Sequence, residues 1–142
     1  MFKKISFLYI LFSLSGCFLG DKVTLPSRAD AFFVAGTLCL TTPGSAEQQK
    51  VKGLTIEKIG EIPGFQKFIS NDDEYITVKK GGCIPTFDYK FETGQAYHIT
   101  IYLTPNDRGR NDGSFSRDVY ATSIVIWKDG NNVQHASLLN GG

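Results

Sequence analysis

Apolar and polar residues alternate along most of the chain after residue 29, and a repeat of two residues is the pattern of a half-buried β-strand. The clearest run covers residues 95–103. One face of this run consists of Tyr97, Ile99, Ile101 and Leu103. The opposite face carries His98, Thr100 and Tyr102. Because neighbouring side chains of a strand point to opposite sides, we expect the first face to lie in the core.

Further runs of β-branched, aromatic and alternating residues predict more strands, each bounded by turn residues such as glycine, proline and asparagine. These predicted strands cover residues 32–34, 37–40, 54–59, 75–78, 83–89, 118–127 and 133–139. Pro85 cannot donate a backbone hydrogen bond, which places the strand over 83–89 at an edge or a bulge. Residues 128–132 form a turn that would return 133–139 beside 118–127.

About seven short strands with turns between them predict an all-β domain built as a two-sheet sandwich. Residues 91–103, FETGQAYHITIYL, resemble the segment of fibronectin type III and related immunoglobulin-like domains in which an apolar residue, a turn glycine and a tyrosine precede an alternating strand. The matching residues are Phe91, Gly94, Tyr97, Ile99 and Ile101. The resemblance implies a tyrosine corner, in which the Tyr97 hydroxyl bonds back to the chain near Phe91. Thr93 stands where that segment usually has proline.

The start of the chain has the order of a secretory signal: charged, then apolar, then small residues. Lys3 and Lys4 precede an apolar run over 5–14, and Ser15 and Gly16 follow it. A membrane-spanning helix would need about 18 or more unbroken apolar residues, so this run is too short to span. The alternative, a buried helix of a cytosolic domain, gives no packing reason for the order. Residues 1–16 are therefore predicted to be a signal peptide.

The four residues from Leu14 to Cys17, LSGC, resemble the lipobox of bacterial lipoproteins at every position. The resemblance implies that the Cys17 thiol takes a diacylglycerol, that the signal is cut just before it, and that the new amino terminus is acylated. Two or three acyl chains give lasting membrane attachment. Phe18 follows the cysteine instead of the aspartate that retains enteric lipoproteins at the inner membrane, which favours the outer membrane. Residues 17–29 would then be a lipidated tether, and residues 30–142 the β-sandwich domain.

Composition excludes some partners and predicts a disulfide. Removal of the signal leaves 126 residues with 13 basic and 14 acidic side chains, so the formal charge changes from +1 to −1. A nucleic-acid-binding domain would carry a basic excess instead. Cys39 and Cys83 remain as an even pair in an exported chain, and we expect them to form a disulfide. A metal or redox role is disfavoured because there is no CxxC spacing and no nearby histidine.

Candidate catalytic residues are sparse in the sequence. His98 is predicted on the outer side of a strand and His135 in the terminal hairpin, and neither has a nucleophile or carboxylate at a suggestive spacing. The GxSxG and HExxH motifs are missing. The sequence therefore predicts a protein that is not an enzyme and that binds no cofactor or metal.

The segment with the most binding character is TPNDRGRNDGSFSRD, residues 104–118. Connections of a dozen residues or more in a compact domain are usually functional or disordered. Arginine and exposed aromatic residues are typical anchors of protein interfaces. Such residues in this segment are Arg108, Arg110, Phe115 and Arg117. They are the predicted partner-binding residues, and a mobile solvated loop is the alternative.

Several features together resemble a family of small enterobacterial lipoproteins identified as type VI secretion immunity proteins of the periplasm. The resemblance lies in the lipobox, in GTLCL around Cys39, and in GGCIPTFDYKFETGQAYHITIYL, which begins just before Cys83. It implies a membrane-tethered protein that binds and neutralises a toxin. Two alternatives remain open: a structural or assembly lipoprotein of an envelope or secretion complex, and a small-ligand module. A cavity lined by Phe65, Phe68 and Tyr75 would indicate the last.

The lipobox leads to a direct test by mass spectrometry of the protein isolated from cells. We expect the amino-terminal residue to be Cys17 and its mass to include acyl chains. An intact amino-terminal methionine, or an unmodified cysteine at position 17, would contradict lipidation.

Overall fold

The structure is a computed structural model that describes residues 25–105 and 115–139. It contains nine strands and one short 3₁₀ turn at Asp72–Glu74 within those ranges. The strands are β1 (Leu25–Arg28), β2 (Asp30–Val34), β3 (Thr37–Thr41), β4 (Lys50–Lys58), β5 (Phe65–Phe68), β6 (Ile76–Thr77), β7 (Ala96–Leu103), β8 (Phe115–Lys128) and β9 (Gln134–Leu138).

Seven strands form one mixed sheet in the order β1-β8-β7-β4-β5, with β9 also paired to β8 and β6 also paired to β4. Strand β1 runs parallel to β8, and the other pairs of this sheet are antiparallel. Strand β8 is 14 residues long, so β1 pairs with its first part and β9 with its last part. Strands β2 and β3 form a separate antiparallel hairpin. The prediction of a β-rich domain is confirmed.

The hydrophobic core lies on one side of the seven-stranded sheet. Burial alternates residue by residue along β7, and the four predicted core residues of this strand are fully buried. Strand β8 contributes the buried side chains of Tyr120, Ile124 and Ile126, and the β2–β3 hairpin contributes Leu38 and Leu40. The opposite side of the sheet, which carries His98, Thr100 and Tyr102 of β7, is called the open face below.

The sheet has two ends, which matter for the placement of functional residues. At the proximal end β1 begins at Leu25, β4 begins at Lys50 and β7 ends at Leu103. At the distal end β4 ends at Lys58, β7 begins at Ala96 and β8 ends at Lys128. The nine residues of β4 separate these ends by about 30 Å, at 3.2–3.4 Å per residue.

Some predicted strand bounds were wrong. Residues 83–89 do not form a strand, and their strand-like pairing is the isolated bridge between Ile84 and Leu40. Pro85 and a tight turn at Phe87 and Asp88 end the pairing there. Strand β5 was missed because its four residues are too short for a clear alternation. Strand β1 falls within the range 17–29 assigned to the tether, because its pairing with β8 is distant in sequence.

A disulfide joins Cys39 of β3 to Cys83, as predicted. The two Cα atoms are 4.9 Å apart and the residues are separated by 44 positions. Directly beside it, the Ile84 N–H donates to the Leu40 carbonyl at 2.8 Å. The disulfide therefore fastens the irregular segment after residue 83 to the small hairpin.

The long separation between the two cysteines predicts a large effect on stability. The bridge restricts the unfolded chain. The free energy of unfolding of the double variant Cys39→Ala, Cys83→Ala should therefore be about 4 kcal/mol lower than that of the oxidised protein. Chemical denaturation measures this difference, and reduced wild-type protein serves as the control. Equal free energies of unfolding for the oxidised protein and the double variant would contradict the prediction.

Candidate functional site

The predicted binding loop begins and ends at the proximal end of the sheet. It leaves after Leu103 and returns at Phe115, which pairs with Leu25 of β1. Arg108 and Arg110 lie outside the described residues. Phe115 and Arg117 belong to β8, but their side chains are also outside the described part. The structure thus fixes the position of the loop base.

A buried glutamine fastens both ends of this loop. Gln49 is 2% exposed, and its Nε2 donates to the Thr104 carbonyl and to Asp118 Oδ1, each at 3.0 Å. Its Oε1 accepts a hydrogen bond from the Ala46 N–H at 2.8 Å. Strand β4 adds two more bonds, because Lys50 N–H donates to Thr104 Oγ1 and the Thr104 N–H donates to the Lys50 carbonyl. The first and last residues of the segment 104–118 are therefore hydrogen-bonded to the chain at the start of β4.

Gln49 was not singled out from the sequence. Its bonding partners Thr104 and Asp118 lie 55 and 69 residues away, so no local spacing reveals the arrangement. A buried glutamine is uncommon, and the turn residues before it give no indication that its side chain points inward. In the sequence, burial of Gln49 was indicated only by its position immediately before an apolar strand.

The open face brings a histidine and a serine together. His98 Nδ1 lies 2.9 Å from Ser123 Oγ, and the two residues are paired across β7 and β8. Glu57 occupies the position opposite His98 on β4, yet it makes no hydrogen bond to the imidazole within the described residues. The arrangement supplies a hydroxyl and an imidazole in contact, but it lacks the carboxylate contact that would orient the imidazole as a base.

The second histidine is held in the terminal hairpin. His135 Nε2 lies 2.9 Å from Asp129 Oδ2, and the His135 ring stacks on Trp127 with centroids 4.6 Å apart. Asp129 Oδ1 accepts hydrogen bonds from the N–H groups of Asn131 and Val133. The bond to His135, followed by the backbone bond from Val133, lowers the pKa of the Asp129 carboxyl. This histidine therefore has a structural role in closing the turn.

Aromatic rings pack together at the distal end of the core. Tyr89 contacts Phe65, Phe91 and Tyr97 at centroid distances of 5.4, 4.9 and 5.9 Å. Desolvation, followed by the neighbouring Tyr97, raises the pKa of the Tyr89 hydroxyl. The Tyr97 hydroxyl accepts a hydrogen bond from the Glu92 N–H at 2.8 Å. These contacts join β5 and β7 to the segment 89–92.

An ion-pair cluster borders the aromatic rings. Lys58 Nζ lies 2.8 Å from Glu61 Oε1 and 3.1 Å from Glu92 Oε2. Hydrogen bonds to Glu61 and then to Glu92 raise the pKa of the Lys58 amine. The cluster links the β4–β5 turn to the chain just before β7.

The cavity that would indicate a small-ligand module is not formed by the predicted residues. Phe65 contacts Tyr89 on the core side of the sheet, while Phe68 contacts Tyr102 on the open face. Phe65 and Phe68 therefore lie on opposite sides and cannot line one cavity together.

The described residues contain neither a metal-binding cluster nor a membrane-spanning helix. Between residues 25 and 105 and between 115 and 139, no group of three or more histidine, cysteine, aspartate or glutamate side chains could hold a metal ion. In the same ranges no helix has the length and apolar character needed to cross a membrane.

The glutamine that fastens the loop base gives a testable prediction. Gln49→Leu should lower the free energy of unfolding by about 2–4 kcal/mol, because it removes the buried amide and leaves part-buried polar groups of Ala46, Thr104 and Asp118 without these bonds. The matched control is Gln48→Leu at the exposed neighbouring position, which should change stability by less than about 0.5 kcal/mol. Equal urea unfolding curves for the two variants would show that the hydrogen bonds of Gln49 do not contribute to the free energy of unfolding.

Comparison with known proteins places the chain in a family. Residues 26–129 match the model of a family described as a domain of unknown function, DUF7480. The match spans most of the chain. It includes the disulfide, Gln49 and strands β2 to β8, and it ends before β9. No curated protein and no solved structure matches the chain. The chain belongs to the DUF7480 family.

Proposed function

We propose that this protein is a lipid-anchored envelope protein that binds a protein toxin and neutralises it, as a type VI secretion immunity protein does. Cys17 carries the lipid in this proposal, the signal 1–16 is removed, and the residues before β1 form the tether. The protein faces the periplasm, and the outer membrane is favoured over the inner one.

The proposed location is supported by two independent features. The LSGC sequence at residues 14–17 has the residue types that lipoprotein processing requires. The disulfide between Cys39 and Cys83 is typical of proteins in an oxidising compartment. Both features fit an exported chain, and structural disulfides are rare in cytosolic proteins.

We also propose that the domain is a variant of the fibronectin type III or immunoglobulin-like sandwich, with Tyr97 as its tyrosine corner. The supporting contact is the hydrogen bond from the Glu92 N–H to the Tyr97 hydroxyl, five residues earlier in the chain. The β2–β3 hairpin packs over the core side of the large sheet, as a second layer would. The parallel β1–β8 pair and the seven strands of one sheet are departures from the usual arrangement.

The observation that carries the binding proposal is the fixed base of the loop 104–118. Gln49 bonds to Thr104 and Asp118, and Lys50 of β4 bonds to Thr104, so the loop begins and ends at a defined place on a disulfide-braced scaffold. A rigid base lowers the entropy that is lost when a loop is ordered by a partner. Arg108, Arg110, Phe115 and Arg117 would supply charged and aromatic contacts to that partner.

Neutralisation by binding needs no turnover chemistry, metal or cofactor, only a specific surface. The lipid tether adds to this by raising the local concentration of the protein where a toxin would arrive. With a formal charge of −1 after signal removal, the domain has no basic excess for nucleic acid. A protein partner is therefore the proposed ligand.

The test takes as toxin candidate the product of a gene adjacent to this one that carries a secretion-system delivery domain. Cells that make this candidate in the periplasm should survive when they also make the full-length lipoprotein, and the two proteins should bind in solution. Replacing Arg108, Arg110 and Phe115 together by alanine should weaken binding by about tenfold or more, as expected for several lost anchors. Far-ultraviolet circular dichroism should stay unchanged.

The matched control is Arg28→Ala, which removes an arginine of β1 outside the loop and should leave protection intact. Survival that does not depend on the lipoprotein would refute the immunity proposal. Unchanged affinity of the triple variant would show that the loop does not contact the toxin. Stable association with envelope assembly proteins, without protection, would favour the structural alternative.

A further inference from the structure

A pocket lies at the proximal end of the sheet, beside the start of β4. It has a volume of about 600 Å³ between the chain that follows β3, residues 41–47, and the chain that follows β6, residues 78–81. Most of the surface that lines it is apolar, and Pro43 and Val78 are among the apolar lining residues. A volume in this range accommodates a drug-sized group, so the pocket has room for more than a single ion.

Tight turns form two of the pocket walls. In the turn over residues 42–45, the N–H of the last residue donates to the carbonyl of the first at 3.2 Å. The turn over residues 79–82 is closed by the same kind of bond at 2.9 Å. The third residues of these turns, Gly44 and Gly81, have φ angles of 87° and 69°, which a type II turn requires at that position. Both walls therefore have a defined backbone before any ligand arrives.

The direction of β6 places two lysines at the proximal end. Strand β6 runs antiparallel to β4, and Thr77 is paired with the first residue of β4. Val78 continues this pairing, because its N–H donates to the Gln49 carbonyl at 3.0 Å. Lys79 and Lys80 follow directly, beyond the last paired residues at this end of the sheet. The lysines are thus presented where β4 begins and the chain of β6 has left the sheet.

The charge of the pocket is positive. Lys79 and Lys80 are both exposed, and neither forms an ion pair with a residue that the structure describes. The other charged lining residue is Glu47, so two positive charges and one negative charge leave a net charge of +1. The acidic turn Asp72–Glu74 comes before β6, at the other end of this short strand. Two cations without an ion-pair partner are therefore available to an anionic ligand.

The combination of apolar walls with cations selects an amphiphilic anion. Lysine amines donate charge-assisted hydrogen bonds to phosphate oxygens. A free phosphate ion would meet the same lysines but would leave the apolar lining in contact with water. An anionic phospholipid carries a phosphate diester next to its apolar glycerol ester and acyl groups. It therefore matches both the charge and the apolar surface of the pocket.

The proposed lipid anchor brings such phospholipids to this end of the molecule. Strand β1 begins at Leu25 at the proximal end, eight residues after Cys17. Eight residues span at most about 29 Å, so an anchored Cys17 keeps the proximal end close to the bilayer. Leu25 itself is 54% exposed, which suits a position near apolar membrane material. Anionic lipid surfaces attract lysine side chains at short range.

We propose that the proximal pocket binds the headgroup of an anionic phospholipid, with Lys79 and Lys80 at its phosphate. The inference rests on the proposed function in one respect, since the lipid on Cys17 supplies the contact with the bilayer. It adds a second, non-covalent contact to that anchor. A tether alone would let the domain rotate above the membrane, whereas two contacts hold it in one orientation.

Lysine acetylation of the protein in nanodiscs tests this inference. The protein is purified from cells with its native processing and inserted into nanodiscs of phosphatidylcholine, or of phosphatidylcholine and phosphatidylglycerol in equal parts. A water-soluble acetylating reagent is added, and peptide mass spectrometry measures the reaction rate of each lysine. Lys79 and Lys80 should react about fivefold more slowly with phosphatidylglycerol present, as expected for one lysine held at an anionic lipid. Lys90, an exposed lysine at the distal end, is the internal control and should react equally in both.

A variant and a salt separate headgroup binding from simpler electrostatic effects. Glu47→Trp fills the pocket from an exposed position and also removes its acid. General attraction to an anionic surface would then protect the lysines more strongly, whereas occupation of the pocket by the indole should abolish the protection. The thermal unfolding curve should remain cooperative. Inorganic phosphate added to the phosphatidylcholine nanodiscs should not slow either lysine, because the apolar part of the ligand is missing.

Several outcomes would overturn the inference: equal rates of both pocket lysines in the two kinds of nanodisc, equal slowing of Lys90, slowing by inorganic phosphate alone, or protection that persists in Glu47→Trp. The result is separable from the proposed function. The intact mass of the same sample shows whether Cys17 carries acyl chains, and their absence would refute the anchor and this contact with it. Lysine protection without toxin neutralisation would refute immunity alone. Neutralisation by an acylated protein without lysine protection would refute the headgroup contact alone.

Discussion

The register between β4, β7 and β8 is the constraint on which the rest of the structure depends. Ile56, Ile99 and Thr122 lie side by side across these three strands, and all three side chains point into the core. A slip by one residue in any of the strands would turn its whole apolar set outwards. The pairing therefore decides which residues form the core and which form the open face. It also decides that the loop 104–118 and the aromatic rings around Tyr89 lie at opposite ends of the sheet.

Local alternation was enough to predict the centre of this sheet, because strands such as β7 have one buried side and one exposed side. The disulfide could also be predicted, since the two cysteines that remain when Cys17 is assigned to the predicted lipid anchor have one possible pairing. Strand β1 could not be predicted in the same way, because LPSR has no alternation and is ordered by a partner some ninety residues later. The strand predicted over residues 83–89 was wrong for the opposite reason, since the segment has apolar residues but no pairing partner beyond one bridge. Its residues turn at Phe87 and Asp88, soon after the bridge at Ile84, instead of continuing a ladder.

The candidate sites show the same division between local and distant information. Arginine and aromatic residues in a long connection stand out in the sequence, so the loop could be proposed from composition alone. The hydrogen bonds of Gln49 join residues that are far apart along the chain, and no sequence pattern near position 49 predicts them. The positive φ of Phe87 was also hidden, because phenylalanine is not a turn residue by preference. Sites built from unusual conformations are the ones that residue patterns predict least well.

The stack of Trp127 on His135 has a practical consequence for spectroscopy. The chain contains a single tryptophan, and its indole N–H donates to Ser137 while its ring lies against the imidazole. Intrinsic fluorescence of this protein therefore reports on the β8–β9 hairpin and not on the chain as a whole. Emission changes that precede the loss of far-ultraviolet signal would mark fraying of the last strand.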